Sequence, residues 1–419
     1  MAAGAERIIL EILIVLAAAK IGGELAERFH QSSVIGELVF GVLIGPSLLG
    51  WIDPDALLPR ITDYAVTGLP SGVSLGDAMD VHVLKIFAEV GVILLLFEVG
   101  LESNLKEMIR VGPSAILVGV IGIVVSFVVG YGLSYTFAHF DLWADRWVFH
   151  VFVGATLTAT SVGITARVLA DMGKLNTDEA RIILGAAVFD DIGGLLILAI
   201  VVGLVGGAAL GAWEIGLILL KAVGFLVLSV WLGILLVPPI VDRLATQLRT
   251  RGAMLILAFV FMLAISYLAG LAGLATIVGA FAGGLILAQS KAHSQIFRDI
   301  RPISALLVPF FFVLLGVQVD LREIAGRGTA VLIVGVILSI GAILAKLSAG
   351  WGVVGSGASR YVVGVGMAPR GEVGLIFAQV GLASKTIGAD TYAAVVIVVM
   401  ATTFFAPPVL GALFKPVAR

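Results

Sequence analysis

Cysteine is absent from the 419 residues of this chain, and charged residues make up only 13% of it. The lack of cysteine excludes disulfides, thiol catalysis and thiolate metal sites. The five histidines are scattered without the close spacing of a metal-ligand set, and no basic run suited to nucleic acid occurs. No long polar segment is present either, so the sequence predicts no separate soluble domain.

Apolar residues dominate instead, at 60% of the chain with a mean hydropathy of +1.14. A soluble domain is about 45–50% apolar and about 25% charged. The chain is therefore predicted to be an all-α polytopic membrane protein with about 13 transmembrane helices. The predicted spans are residues 7–26, 34–51, 83–101, 113–136, 147–170, 180–205, 213–240, 252–270, 273–289, 303–319, 329–353, 360–384 and 390–413.

The loops predict the orientation of these spans. Apart from Lys20, Lys221, Lys346 and Arg370, which lie inside spans, fifteen Lys and Arg residues fall on one side and seven on the other. The richer side is expected to be cytoplasmic. This places the N-terminus outside and the C-terminus in the cytoplasm. The first apolar run is interrupted by Glu11 and Lys20 and continues to about Leu25, which favours a spanning helix over a cleaved signal peptide.

Two adjacent aspartates, Asp190 and Asp191, lie in the middle of the apolar segment 180–205. An ionised acid at the bilayer centre costs about 2.5–3.5 kcal/mol, and two in a row cost about twice as much. A chain that keeps both is predicted to use them to bind or carry cations. The alternative is a salt bridge with Lys346 that serves structure alone.

Lys346 lies within the eleventh span, too far from its ends to snorkel easily, so an aspartate is its expected partner. Adjacent helical residues point about 100° apart. One aspartate can therefore pair with Lys346 while the other stays open to a water-filled cavity. Burial and ion pairing shift the pKa of a carboxyl group in opposite directions, so this site can titrate within a few units of neutrality.

The fifth and twelfth spans are each interrupted in the middle. The fifth carries hydroxyl side chains that can add oxygen ligands for a cation: Thr158, Thr160 and Ser161. The twelfth carries Pro369, which removes a backbone donor, followed by Arg370 and Glu372, which could neutralise the half-helix ends. A buried pair that only stabilises the bundle is the alternative for these two. Paired interruptions at equivalent places point to a transport site.

A weak internal repeat divides the spans into two halves. Residues 94–101, at the end of the third span, resemble residues 309–316, at the end of the tenth. The glycines of residues 35–45 in the second span likewise resemble those of residues 277–284 in the ninth. Spans one to six and eight to thirteen then form two six-helix repeats that start on opposite sides of the membrane. The predicted fold class is therefore two inverted repeats with crossed broken helices, an arrangement common in secondary transporters.

Five features occur in order along the chain: IGELVFGVLIGPSLLG, TATSVGITARVLADMG, GAAVFDDIGGLL, the lone Lys346 and GMAPRGEVGLI. Together they resemble bacterial sodium/proton antiporters of the monovalent cation:proton antiporter-2 family, and the resemblance covers essentially the whole chain. It implies a homodimer in the bacterial inner membrane that works by elevator-like alternating access. It also implies that Asp191 is the main Na⁺-binding carboxylate, that Asp190 pairs with Lys346, and that Thr160 and Ser161 fall in the unwound crossing.

The resemblance also implies a domain organisation. Residues 1–110 and 246–325 would form the dimerisation domain, residues 111–210 and 326–419 the ion-binding core, and residues 211–245 a linker helix. Two aspartates with a lysine mark the electrogenic branch of the family, which exchanges two protons for one Na⁺. Potassium-efflux relatives generally replace the first aspartate and carry a cytosolic nucleotide-binding domain, whereas this chain keeps both aspartates and ends at Arg419.

These features predict electrogenic exchange of Na⁺ or Li⁺ for H⁺, without a cofactor. A K⁺/H⁺ antiporter is the main alternative, because ion size selection depends on cavity geometry. A cation channel is less favoured, since no repeated pore loop or filter sequence is present, and an organic-anion symporter fits poorly with a site rich in acids. No nucleophile, metal cluster or cofactor fingerprint suggests an enzyme.

Overall fold

The structure is a computed structural model that describes residues 2–29, 31–52, 75–140, 143, 146–205, 212–248, 250 and 252–414. Regular structure in these residues is helical throughout, which confirms the predicted all-α fold. The α-helices in chain order are α1 Ala2–Arg28, α2 Ser33–Ile44, α3 Leu75–Glu102, α4 Leu105–His139, α5 Trp147–Thr158, α6 Val162–Asp171, α7 Asp178–Val205, α8 Ala212–Gln247, α9 Ala253–Leu271, α10 Thr276–Leu287, α11 His293–Val317, α12 Leu321–Gly326, α13 Thr329–Ala349, α14 Arg360–Gly366, α15 Glu372–Ala383 and α16 Ala389–Leu413.

Each predicted span overlaps at least one of these helices, and both predicted interruptions are present, between α5 and α6 and between α14 and α15. Among the described residues, seven helical segments are long and apolar enough to cross a membrane, judged by length and composition. Helices α2 and α10 have 12 residues each. At about 1.5 Å per residue they are shorter than the roughly 30 Å hydrocarbon core, so the number of crossings stays a prediction.

The ends of several helices differ from the expected spans, most of all at α11, and one short helix is additional. Helix α11 begins at His293, well before the predicted start at residue 303, and the short helix α12 was not predicted. Charged residues such as Arg298 and Arg301 mark the polar end of α11. Hydropathy detects only the apolar part of a helix, whereas backbone hydrogen bonding continues into its polar ends.

The chain divides into two compact units, residues 1–95 with 301–323 and residues 96–300 with 324–419. Helices α3 and α11 contribute to both. The second unit contains α4 to α10 and α13 to α16, and with them both aspartates, Lys346 and the two broken helices. The finer division into a dimerisation domain, a linker and a core stays a prediction.

In the first unit, glycines bring α2 and α11 into backbone contact. A Cβ atom at Gly41 would lie 3.0 Å from the Cα of Gly316, and it would collide with the carbonyl oxygen of Val313. A Cβ atom at Gly316 would in turn collide with the carbonyl oxygen of Leu38. Small residues allow helix backbones to approach this closely in membrane proteins.

The second unit repeats this contact between α10 and α3. A Cβ atom at Gly284 would lie 2.8 Å from the Cα of Gly100 and would collide with the carbonyl oxygen of Phe97. A Cβ atom at Gly100 would collide with the carbonyl oxygen of Phe281. Each reciprocal pair therefore joins a glycine of the first predicted half, Gly41 or Gly100, to a glycine of the second, at the positions where the sequence suggested an inverted repeat.

Replacing Gly41 by valine should destabilise the protein by about 1–3 kcal/mol, because backbone atoms at this contact cannot move aside as a side chain would. The thermal unfolding midpoint of the detergent-solubilised protein measures the effect. Gly132→Val is the matched control, since it lies on a helix with no neighbouring atom within 4 Å of its Cβ position. Equal midpoints for the two variants would contradict the prediction.

Candidate ion-binding site

Asp190 on α7 and Lys346 on α13 form a buried ion pair. Nζ of Lys346 donates to Oδ2 of Asp190 at 2.5 Å, and the two residues are 0% and 3% exposed respectively. The structure thus brings together two residues that are 156 positions apart in the sequence. Charges removed from water in this way are tolerated when they are paired and hydrogen-bonded.

Thr160 adds a second donor to the same oxygen. It lies in the break between α5 and α6, is buried, and donates from Oγ1 to Oδ2 of Asp190 at 2.5 Å. The hydroxyl of Thr158, also predicted at the site, instead donates to the carbonyl of Ala155 at 2.7 Å. Ser161 is buried beside Gly371, whose Cβ atom would lie 2.7 Å from the Ser161 hydroxyl oxygen.

The two broken helices are joined to each other at their breaks. The backbone N–H of Ser161 donates to the carbonyl of Pro369 at 2.8 Å. The hydroxyl of Thr165 donates to the carbonyl of Gly366 at 2.6 Å. Gly366 is the last residue of α14, so a donor from α6 satisfies a carbonyl that the end of that helix leaves without an intrahelical partner.

Arg370 lies in the break between α14 and α15 and contacts the end of α5 in the first broken helix. Its side chain is 1% exposed, and Nη2 donates to the carbonyl of Leu157 in the last turn of α5 at 2.5 Å. This places a positive charge at the negative end of the α5 dipole. Thr402 and Thr403 of α16 hydrogen-bond the backbone of Arg370, the first as acceptor of its N–H and the second as donor to its carbonyl. Glu372 begins α15, but its side chain lies outside the described ones.

Gly122 of α4 lies against the ion pair. A Cβ atom there would be 3.3 Å from Nζ of Lys346 and 3.8 Å from Oδ1 of Asp190. Sequence reasoning missed this glycine, as it missed Thr165, Thr402 and Thr403. Two adjacent threonines inside the apolar span 390–413 were a usable signal, but a single glycine in a glycine-rich chain was not.

Asp191 lies next to Asp190 but faces other neighbours. It is 7% exposed and lines a small cavity of about 10 Å³, together with apolar side chains from α3, α6, α7 and α10. The roughly 100° between adjacent helical residues explains how one aspartate contacts Lys346 while the other borders this cavity. The arrangement offers one carboxylate fixed by two donors and a second carboxylate beside a separate space.

Comparison with known proteins identifies the family. A family model described as the transmembrane sodium/hydrogen exchanger matches residues 12–415. The chain belongs to the sodium/hydrogen exchanger family. Membership confirms the resemblance to sodium/proton antiporters and, with the apolar helices, shows a multi-pass membrane protein.

Two curated relatives of this exchanger align along almost their whole length. The high-affinity Na⁺/H⁺ antiporter NhaS3 of Synechocystis is 39% identical, over 97% of this chain and 90% of NhaS3. The Na⁺/H⁺-K⁺ antiporter GerN of Bacillus cereus is 34% identical, over 96% of this chain and 94% of GerN. The solved structure of the sodium proton antiporter MjNhaP1 from Methanocaldococcus jannaschii has a TM-score of 0.65 over 97% of this chain and 98% of MjNhaP1. At 17% identity it shows that the fold is shared.

Asp190→Asn should destabilise this exchanger by about 3–5 kcal/mol, because it leaves the buried Lys346 ammonium without a counter-charge. The double variant Asp190→Asn/Lys346→Gln should recover most of the loss, since neither buried charge then remains. A double-mutant cycle on the thermal unfolding midpoint measures the coupling between the two side chains. Additive effects of the single variants would show that the pair contributes no coupling energy.

Proposed function

We propose that this protein exchanges Na⁺ or Li⁺ for H⁺ across a bacterial inner membrane, with Asp191 as the carboxylate that binds the cation. The observation that carries this proposal is the different surroundings of two adjacent buried aspartates. Asp190 is fixed by Lys346 and Thr160, whereas Asp191 borders a cavity. The names of NhaS3 and GerN, both Na⁺/H⁺ antiporters, support the same activity.

The exchange follows from competition between Na⁺ and H⁺ for the Asp191 carboxylate. While Asp191 holds a proton, it has no negative charge with which to bind Na⁺. Loss of that proton creates an oxygen ligand suited to a hard cation. Because Na⁺ and H⁺ use the same group, the site carries one or the other across the membrane, and one gradient can drive the opposite movement of the other ion.

The ion pair supplies the second proton in this proposal. Na⁺ at Asp191 adds a positive charge close to Lys346, which weakens the attraction between Lys346 and Asp190. Replacing the Asp191 proton by Na⁺ leaves the net charge of the site unchanged. Release of a further proton from the pair would leave the Na⁺-bound site with one extra negative charge, so two protons would be exchanged for one Na⁺ and the exchange would be electrogenic. This fits the electrogenic branch, with two aspartates and a lysine, that the family resemblance implies.

The crossing of the broken helices supports a moving core. Donors from one broken helix satisfy the terminal carbonyls of the other, through Thr165 to Gly366 and through Arg370 to Leu157. These contacts tie α5, α6 and α14 together around the ion pair. We propose that they travel as one body in an elevator-like step and that the protein works as a homodimer.

Purified protein in liposomes with a preset pH gradient tests the function. Addition of Na⁺ or Li⁺ should move protons, and a voltage clamp with valinomycin and K⁺ should speed that movement. Equal rates with and without the clamp would point to one-for-one exchange. The absence of proton movement with every cation would overturn the antiporter proposal.

K⁺/H⁺ exchange is the second candidate, because the relative GerN is a Na⁺/H⁺-K⁺ antiporter by name. Proton movement driven by K⁺ but not by Na⁺ would favour it. Ion flux under an applied voltage, without coupled proton movement, would instead indicate a channel.

Asp191→Asn should reduce Na⁺-driven proton movement to the level of empty liposomes, because an amide cannot exchange a proton for a cation at neutral pH. The measurement is internal pH after addition of Na⁺, with protein insertion checked on the same vesicles. Glu24→Gln on α1 is the control, since Glu24 is half-exposed and far along the chain from the site. Transport retained by the asparagine variant would refute the role of Asp191.

A further inference from the structure

The cavity beside Asp191 is small and its other walls are apolar. Helix α10 contributes Ile277, Val278 and Phe281, and the remaining lining side chains are leucines and valines. The volume is about 10 Å³. A cavity needs about 10–15 Å³ to hold one water molecule, so a cation that reaches Asp191 in this conformation keeps almost none of its hydration shell.

The α10 wall, meaning Ile277, Val278 and Phe281, is held from two sides. Gly284 contacts the backbone of α3 at Gly100, as described above. On the other side, a Cβ atom at Gly279 would lie 2.6 Å from the carbonyl oxygen of Ile265 and 2.8 Å from the Cα of Ser266, both on α9. Backbone contacts on both sides fix the wall against α3 and α9.

The wall also offers no oxygen ligand. Ile277, Val278 and Phe281 have hydrocarbon side chains, which cannot coordinate a cation. Selection between cations of equal charge depends on cavity size, ligand number and ligand flexibility. A rigid apolar wall against a carboxylate therefore penalises the larger cation, which needs more room and more oxygen ligands.

We propose that the α10 wall sets the size preference for the cation at Asp191, so that Li⁺ and Na⁺ are preferred over K⁺. Phe281 is the main determinant, because its ring is the largest side chain in the wall. This inference rests on the proposed antiport function and names the substrate class of the same site. It assigns to α10 a role in selectivity that is separate from the charged residues.

Phe281→Ala tests the proposal in proteoliposomes, with half-saturating concentrations of Na⁺ and K⁺ for proton movement as the readout. Removal of the ring should lower the value for K⁺ at least about tenfold relative to that for Na⁺, which corresponds to about 1.4 kcal/mol of differential binding. Phe281→Leu should shift the ratio in the same direction by less. Cation-induced rises in the unfolding midpoint provide a binding readout that does not depend on transport.

Phe261→Ala on α9 is the matched control. The Phe261 ring also packs near α10, 3.7 Å from a Cβ atom placed at Gly283, but it does not line the Asp191 cavity. A shift in the K⁺ to Na⁺ ratio that is confined to the Phe281 variants supports the proposal. The same ratio in wild type, Phe281→Ala and Phe281→Leu overturns it, as does equal use of K⁺ and Na⁺ by the wild type. Wild-type protein that exchanges no cation at all would overturn the proposed function itself.

Discussion

The buried ion pair between Asp190 and Lys346 is the constraint on which the site depends. Removing two charges from water costs several kcal/mol for each ion, and the cost is offset only by close pairing and further hydrogen bonds. Thr160 supplies such a bond, and Gly122 leaves room for the lysine head group. Neither partner can be altered alone without leaving a buried charge, which makes the pair sensitive to a cation arriving at the adjacent Asp191.

The breaks in the two helices leave backbone groups that also need hydrogen-bond partners. A helix that stops inside a membrane leaves carbonyls that no water can reach. Here Arg370 and Thr165 reach across the crossing to the ends of α5 and α14. The breaks thereby bring Thr160 to the ion pair without exposing bare backbone, while the glycine contacts of α10 fix the apolar side of the cavity.

The sequence predicted those parts of the site that are recognisable from a single unusual residue in its own segment. Aspartates and a lysine inside apolar spans, and Pro369 inside another, are visible without knowing what they contact. The partners of Arg370 and Thr165 were not predictable, because Leu157 and Arg370 are 213 residues apart and a backbone carbonyl has no sequence signature. The same holds for Gly122. Hydropathy likewise located the spans but not the polar start of α11 or the short α12.

Counting the protons released when Na⁺ binds tests the central claim most directly. Titration calorimetry of Na⁺ into the purified wild-type protein, repeated in buffers of different ionisation enthalpy, gives this number. We predict release of more than one proton per Na⁺ at a pH where Asp191 starts protonated, and no Na⁺ binding by Asp191→Asn. Binding of Na⁺ without any proton release would contradict the competition between the two ions on which the proposed exchange depends.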